Sequence, residues 1–120
     1  GTHMSAGYHH FIIEQGATFG QTLTLKDSSD TLINLTGYTS AEMDLRETPE
    51  SSSEVLTLTT ANNRIALGGS AGTVTLSIAA ADTANLTAGD GVFDLEVVDG
   101  SSRVYRILEG TYTIRRNISR

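Results

Sequence analysis

The stretch from Gly72 to Arg116 constrains the fold of this chain more than any other feature. It opens with Gly-Thr-Val-Thr-Leu-Ser-Ile, where apolar and polar residues alternate with the period of two that belongs to a half-buried strand. Ala-Asp-Thr-Ala-Asn-Leu-Thr-Ala-Gly follows, enough for one helical turn. Two long strand patterns come next, Val-Phe-Asp-Leu-Glu-Val and Val-Tyr-Arg-Ile-Leu-Glu-Gly-Thr-Tyr-Thr-Ile. Strand, turn of helix and two long strands is the order in which a two-sheet β-sandwich closes its second sheet.

The rest of the chain agrees. Thr, Ser and Gly dominate between apolar residues, Pro49 is the single proline, and no long helical period occurs, which is all-β composition. Tyr8 to Glu14 reads as a first strand at a sheet edge. Phe19, Gln21, Leu23 and Leu25 alternate with Gly20, Thr22 and Thr24 as a second. Leu32 to Leu35 reads as a short strand. Tyr38 to Thr48 reads as a longer one, with Ala41, Met43 and Leu45 on one face and Glu42, Asp44 and Arg46 on the other. Leu56 with Leu58 marks a further strand. Arg64 to Leu67 and Thr73 to Ile78 flank Gly68-Gly-Ser-Ala-Gly72, a hairpin connection whose glycines permit positive φ. Asp82 is placed to cap a helical turn through Leu86, which plugs the sandwich end, and Gly89 to end it in a left-handed conformation. In the last strand the apolar parity shifts from Tyr105 and Ile107 to Leu108, Tyr112 and Ile114, so a β-bulge is expected near Leu108 to Gly110. The fold expected is a single immunoglobulin-like β-sandwich with Greek-key connections and one short helical turn near residues 82–87.

At 120 residues the chain is one domain, large enough to bury a core without disulfides, and it has no cysteine. Residues 1–4, Gly-Thr-His-Met, read as an expression-tag scar, residues 5–116 as the sandwich, and residues 117–120 as a C-terminal tail. His3 is therefore expected to carry no function. No apolar run approaches the ~20 residues of a membrane span and no signal peptide is visible, so the chain is expected to be soluble, with no membrane partner. The net charge of −6 argues against a general nucleic-acid binder. Charge is unevenly placed. Residues 1–102 hold Lys26, Arg46 and Arg64 against thirteen acids, a balance of −10, while residues 103–120 hold five arginines against Glu109, a balance of +4. A basic end on an acidic body suits docking on an acidic partner or a neighbouring copy, which makes Arg103, Arg106, Arg115 and Arg116 the candidate partner-binding residues.

No residue pattern points to catalysis or to a cofactor. His9 and His10 are adjacent on a strand and face opposite ways, so they cannot share a metal unaided. Asp27/Asp30, Glu47/Glu50/Glu54 and Asp90/Asp94/Asp99 lie near loop ends but lack a calcium-loop signature, and no metal is expected. There is no nucleophile elbow and no cysteine, so the chain is not expected to be an enzyme. Gly68 to Gly72 lacks a following Lys or helix and is a turn, not a phosphate loop. Asn34-Leu-Thr36, Asn85-Leu-Thr87 and Asn117-Ile-Ser119 match the glycosylation sequon incidentally. Tyr8, Tyr38 and Tyr105 are the tyrosines that an outer sheet could expose, hence the candidates for glycan contact.

Glu14-Gln-Gly-Ala-Thr-Phe19, Leu23-Thr-Leu-Lys-Asp27, Ile33-Asn-Leu-Thr-Gly-Tyr38 and Met43-Asp-Leu-Arg46 together resemble a group of small bacteriophage proteins. The later Leu86-Thr-Ala-Gly89, Phe93-Asp-Leu-Glu96 and Leu108-Glu-Gly-Thr-Tyr112 fit the same layout, so the likeness runs from Tyr8 to Ile114. This group includes the N-terminal immunoglobulin-like domains of siphophage baseplate upper proteins. The resemblance implies a virion structural or accessory protein of tail, baseplate or head, made in the bacterial host cytoplasm. Its partners would be other virion proteins, with a homo-oligomer compatible with the same role, and no nucleic acid or membrane. It offers no catalytic residues. With the sequence ending at Arg120 and no helical or receptor-binding extension, a small stand-alone component is expected. Contact is expected along two edge strands, Tyr8 to Glu14 and Arg103 to Arg116. The alternative expected from the tyrosines is a glycan-binding sandwich for host-surface recognition; a cell-surface adhesin domain would require a secretion signal upstream.

Overall fold

A computed structural model of the protein describes residues 7–27 and 29–116; the tag scar with His3 and the tail, with Asn117 and Ser119, lie outside the described residues. Among the described residues, eight strands form two sheets. They are β1 (Gly7–Glu14), β2 (Phe19–Thr24), β3 (Tyr38–Arg46), β4 (Leu56–Thr59), β5 (Ile65–Leu67), β6 (Thr73–Ile78), β7 (Gly89–Asp99) and β8 (Val104–Arg115). The first sheet runs β1-β8-β7-β3-β4 and the second β2-β6-β5. In immunoglobulin terms β2, β6 and β5 take the places of strands B, E and D, and β3, β7 and β8 those of C, F and G. The expected all-β, immunoglobulin-like sandwich is therefore the fold. β1 pairs parallel with β8, whereas the other strand pairs are antiparallel.

The core is built from alternation. Ala41, Met43 and Leu45 of β3, Phe93, Leu95 and Val97 of β7, and Phe11 and Ile13 of β1 point inward against Phe19 of β2 and Val74, Leu76 and Ile78 of β6. Phe11 sits at the aromatic centre, 5.9 Å edge-on from Phe19 and 4.9 Å from Phe93 between ring centroids. Thr83 is buried yet satisfied, its hydroxyl donating to the carbonyls of Ala17 and Ala80 at 2.8 and 3.1 Å. That bond and one from the Gln15 side chain to the Leu86 carbonyl, 2.6 Å, tie the helical turn to the β1–β2 corner.

Several local expectations are corrected. Leu32 to Leu35 forms no strand: Leu32 makes a single bridge with Lys26, and the Asn34 side chain then accepts the Thr36 N–H and turns the chain, with Leu35 buried. β3 ends at Arg46 because Thr48 and Ser51 close a polar turn. The helix α1 covers Ala80–Thr83, and its N-cap is Ala79, not Asp82; Asp82 lies inside the first turn, where its carboxylate meets the Arg64 guanidinium at 2.9 Å. Gly89 begins β7 and does not end the helix. An additional 3₁₀ turn, Gly69–Ala71, sits inside the β5–β6 connection and ends at Gly72 with φ 70°. The bulge lies earlier than expected. Leu95 pairs with Leu108 and Glu96 with Arg106, so Ile107 is the extra residue, and both Ile107 and Leu108 are buried.

Candidate interaction face of the five-stranded sheet

The outer face of the five-stranded sheet collects most of the polar chemistry, because its strands place every second side chain there. Two rungs cross its middle. Glu42 of β3 stands opposite Glu96 of β7, which stands opposite Arg106 of β8. Asp44 stands opposite Asp94, Asp94 opposite Glu109, and Glu109 opposite Tyr8 of β1. Like charges directly opposite each other are destabilising, so this arrangement is held by the arginines among them. Arg106 reaches Asp94, Glu96 and Glu109 at 3.5, 3.8 and 3.7 Å, and Arg46 lies 3.7 Å from Asp44. Thr57 on β4 adds a hydroxyl bond to Asp44 at 3.2 Å. Five carboxylates against two guanidinium groups leave the face acidic. Glu42 shows it: a hydrogen bond with the Asp44 side chain holds its carboxyl above the usual glutamate range, helped by burial and by repulsion from Asp44, Glu96 and Glu54. A shallow groove of about 370 Å³ runs between Tyr8, Arg46, Pro49, Asp94, Arg106 and Thr111.

β1 forms the margin of this face. Phe11 and Ile13 go into the core, while Tyr8, 73% exposed, and Ile12, 49% exposed, point outward as two of the four large exposed apolar side chains among the described residues. His10 lies between them. Its two ring nitrogens meet the hydroxyls of Thr111 and Thr113 at 2.6 and 3.1 Å, and Thr113 donates on to Asp90 at 2.7 Å. Thr113 thus stands between the imidazole and the Asp90 carboxylate, and the imidazole stands between the two threonine hydroxyls. His9 faces inward, its ring tilted against that of Phe11 with centroids 4.5 Å apart, so the two histidines do part to opposite sides.

The four candidate arginines do not form one patch. Arg103 sits at the β7–β8 turn and Arg115 at the far end of β8, roughly 40 Å away at strand spacing. Arg106 is committed to the acids of the sheet, and Arg115 pairs with Glu14 at 3.5 Å. Arg116 is exposed and makes no ion pair among the described residues. Nor is β8 an edge strand: β1 covers one side of it and β7 the other. The tyrosines also separate. Tyr38 and Tyr105 pack edge-on at 5.9 Å against the core margin, and only Tyr8 stands free on the outer face. Among the loop acids, Asp27 and Asp99 spend a carboxylate oxygen on turn N–H groups, Asp27 on Ser29 and Thr31, Asp99 on Ser101 and Arg103. The Arg103 N–H bond is the main cause that lowers the Asp99 carboxyl below its usual range. No group of three or more metal-ligating side chains occurs among the described residues, and no helix is long and apolar enough to cross a membrane.

Sequence reasoning missed Ile12. The signal was present, since Tyr8 to Ile13 carries apolar residues on both parities, the pattern of a strand covered on both faces. The acidic rungs could not be read without strand register. Comparison with known proteins found no family model that matches this chain and no matching curated sequence.

Proposed function

We propose that this domain is a bacteriophage virion protein of tail, baseplate or head that acts by protein–protein contact and carries out no catalysis. The observation that carries the reading is the margin of the five-stranded sheet. There an eight-residue edge strand with Tyr8 and Ile12 exposed is continuous with a face where Arg106 lies among Asp94, Glu96 and Glu109. An apolar strip rimmed by charge is the anatomy of a contact surface, and an open edge strand is where another chain adds main-chain hydrogen bonds. The motifs that resemble the phage group supply support of a different kind: Phe19, Met43, Phe93 and Leu108 of those motifs are core residues, so the likeness is one of fold.

The test is mass spectrometry of purified particles from the phage or prophage that encodes the gene, with copy number set against the major capsid protein. A fixed copy number that matches a symmetry axis of the particle is the expected result. Absence from clean particles overturns the reading. Because Arg115 and Arg116 sit at the rim, reversing both charges is expected to weaken attachment to particles and leave the fold intact.

A second reading, host-glycan binding, draws on Tyr8, whose exposed ring borders a groove with both carboxylates and guanidinium groups. Sugars use such an aromatic platform with polar groups beside it. It predicts binding to a bacterial surface polysaccharide that is lost in Tyr8→Ala; a flat response across a polysaccharide array sinks it.

A further inference from the structure

We propose that β1 is a homodimer seam, in which two copies pair their first strands antiparallel across a two-fold axis through His10. The inference deepens the contact reading above and names the partner as a second copy of this chain.

Among the described residues β1 is the longest free margin of either sheet: the other edge strands, β2, β4 and β5, have six, four and three residues. From Gly7 to Ile13, its described ladder runs to β8 alone, and no other backbone bond of that segment to another strand occurs among the described residues. Natural edges are commonly blocked by Lys, Pro or a bulge, and this segment has none. An edge left in that state is a template for one more strand.

The side chains decide which strand. Tyr8 and Ile12 are four residues apart on the same face, so an axis through His10 sets Tyr8 opposite the Ile12 position of the second copy, and Ile12 opposite its Tyr8. The same axis sets His9 opposite Phe11 and Gly7 opposite Ile13, which makes Gly7 to Ile13 self-complementary from end to end. Aromatic against β-branched is a favoured cross-strand pair. Charge points the same way. Two copies of a chain with net charge −6 repel unless they meet where carboxylates are missing, and Gly7 to Ile13 contains none. Glu14, the first acid on β1, falls beyond the paired segment and is already matched with Arg115. An axis perpendicular to the sheet keeps both outer faces on one side, so the two acidic grooves become one continuous surface.

Strand-edge contact of this length is smaller than a standard interface, so a weak, concentration-dependent dimer is expected over about 10 µM to 1 mM in sedimentation equilibrium. Ile12→Lys puts a charge at the seam without touching the core and is expected to weaken association at least tenfold. The register is read by cross-linking, for which the absence of native cysteine is an advantage. With diamide as oxidant taking up the two thiol hydrogens, His10→Cys is expected to form a covalent dimer, since the axis brings the two positions face to face. Ile12→Cys is expected to stay unlinked, because its copies stand about 13 Å apart along the strand, beyond disulfide reach. Circular dichroism of each variant confirms that it is folded. A wild-type chain that stays monomeric at 1 mM overturns the proposal, as does dimerisation indifferent to Ile12→Lys or a cross-link at position 12 in place of 10. Presence in particles together with a monomer in solution sinks the dimer and spares the virion reading. A cross-linked dimer absent from particles does the reverse.

Discussion

The two margins of the five-stranded sheet are built on opposite principles. β4 has four residues, and its backbone is closed by side chains: the Thr57 carbonyl accepts from Asn62 Nδ2 at 3.1 Å and from Arg64 Nη1 at 3.0 Å, while Asn62 Oδ1 takes the Thr59 N–H at 2.9 Å. Acids Glu42 and Asp44 stand on the neighbouring strand. β1 has eight residues, carries Tyr8 and Ile12 outward, and has only Glu14 as an acid, at its end. One sheet therefore carries a margin where side chains take up the Thr57 carbonyl and the Thr59 N–H and whose surroundings repel acidic chains, and a margin whose surface is apolar and beyond which no further strand pairs among the described residues. The proposed directional contact draws on this difference, because an unselective need for solubility would have closed both edges.

The comparison breaks first at the core beneath β1. Phe11 is buried between Phe19 and Phe93. Phe11→Ala is expected to cost about 3–5 kcal/mol of unfolding free energy by urea titration, from lost transfer energy and the cavity left behind. Close below it comes Gly110→Ala, at about 3 kcal/mol. A Cβ at Gly110 would overlap the His9 backbone across the β1–β8 ladder, and neither chain can retreat without giving up pairing. Gly20→Ala is the control, since nothing lies near its Cβ position. Equal stabilities for the two alanine variants of glycine would mean that β1 is loosely held, and the open margin would then be a frayed strand, not a docking edge.

Alternation was legible and adjacency was not. The inward set Ala41, Met43, Leu45 and the outward set Glu42, Asp44, Arg46 follow from period two alone. That β1 lies beside β8 does not, because parity says which face a residue takes and nothing about which strand is its neighbour. This is why Arg103 to Arg116 was expected at an edge and lies inside the sheet. Asp82 looked like a helix cap by residue type, but cap position depends on where the turn begins, and the carboxylate was drawn to Arg64. The parity change in β8 showed that a bulge existed; its site, Ile107, was hidden because two adjacent apolar residues are both buried there. Of the outer face of the five-stranded sheet, Tyr8 could be singled out from the sequence. The rungs that join Asp44, Asp94 and Glu109 required the register.

A smaller effect tests how β4 is closed. Arg64 donates to the Thr57 carbonyl and pairs with Asp82, with both side chains partly exposed, so Arg64→Ala is expected to cost about 1–2 kcal/mol once solvent screening is allowed for. Asp82→Asn removes the ion pair and spares the carbonyl bond, and it is expected to cost less. The sharper readout is association. If side chains are what close this margin, Arg64→Ala gains a tendency to self-associate in light scattering that Asp82→Asn lacks. Equal behaviour of the two would assign the protection to the shortness of β4.

The smallest effect separates charge from capping. Glu42, beside β4, has a raised carboxyl pKa in the fold, chiefly through its hydrogen bond with Asp44. For an acid with a raised folded value, the unfolded chain gives up its proton first. This group's contribution to stability therefore falls as pH rises from the ordinary glutamate range through the raised value, and it is fully present only below that range. Asp99 has the opposite sign. Its carboxyl is lowered by the Arg103 N–H, so its contribution is present above the ordinary aspartate range and is lost as pH falls through the lowered value. Unfolding measured from about pH 3 to 7 should show Glu42→Gln removing a decline in the upper part of that window and Asp99→Asn removing a loss in the lower part. Protonating Glu42 also strips charge from the β4 margin and leaves the Asn62 and Arg64 caps in place. Any association seen at low pH should then remain sensitive to Ile12→Lys. If it becomes insensitive, charge and not side-chain capping kept β4 closed, and the contrast between the two margins is electrostatic.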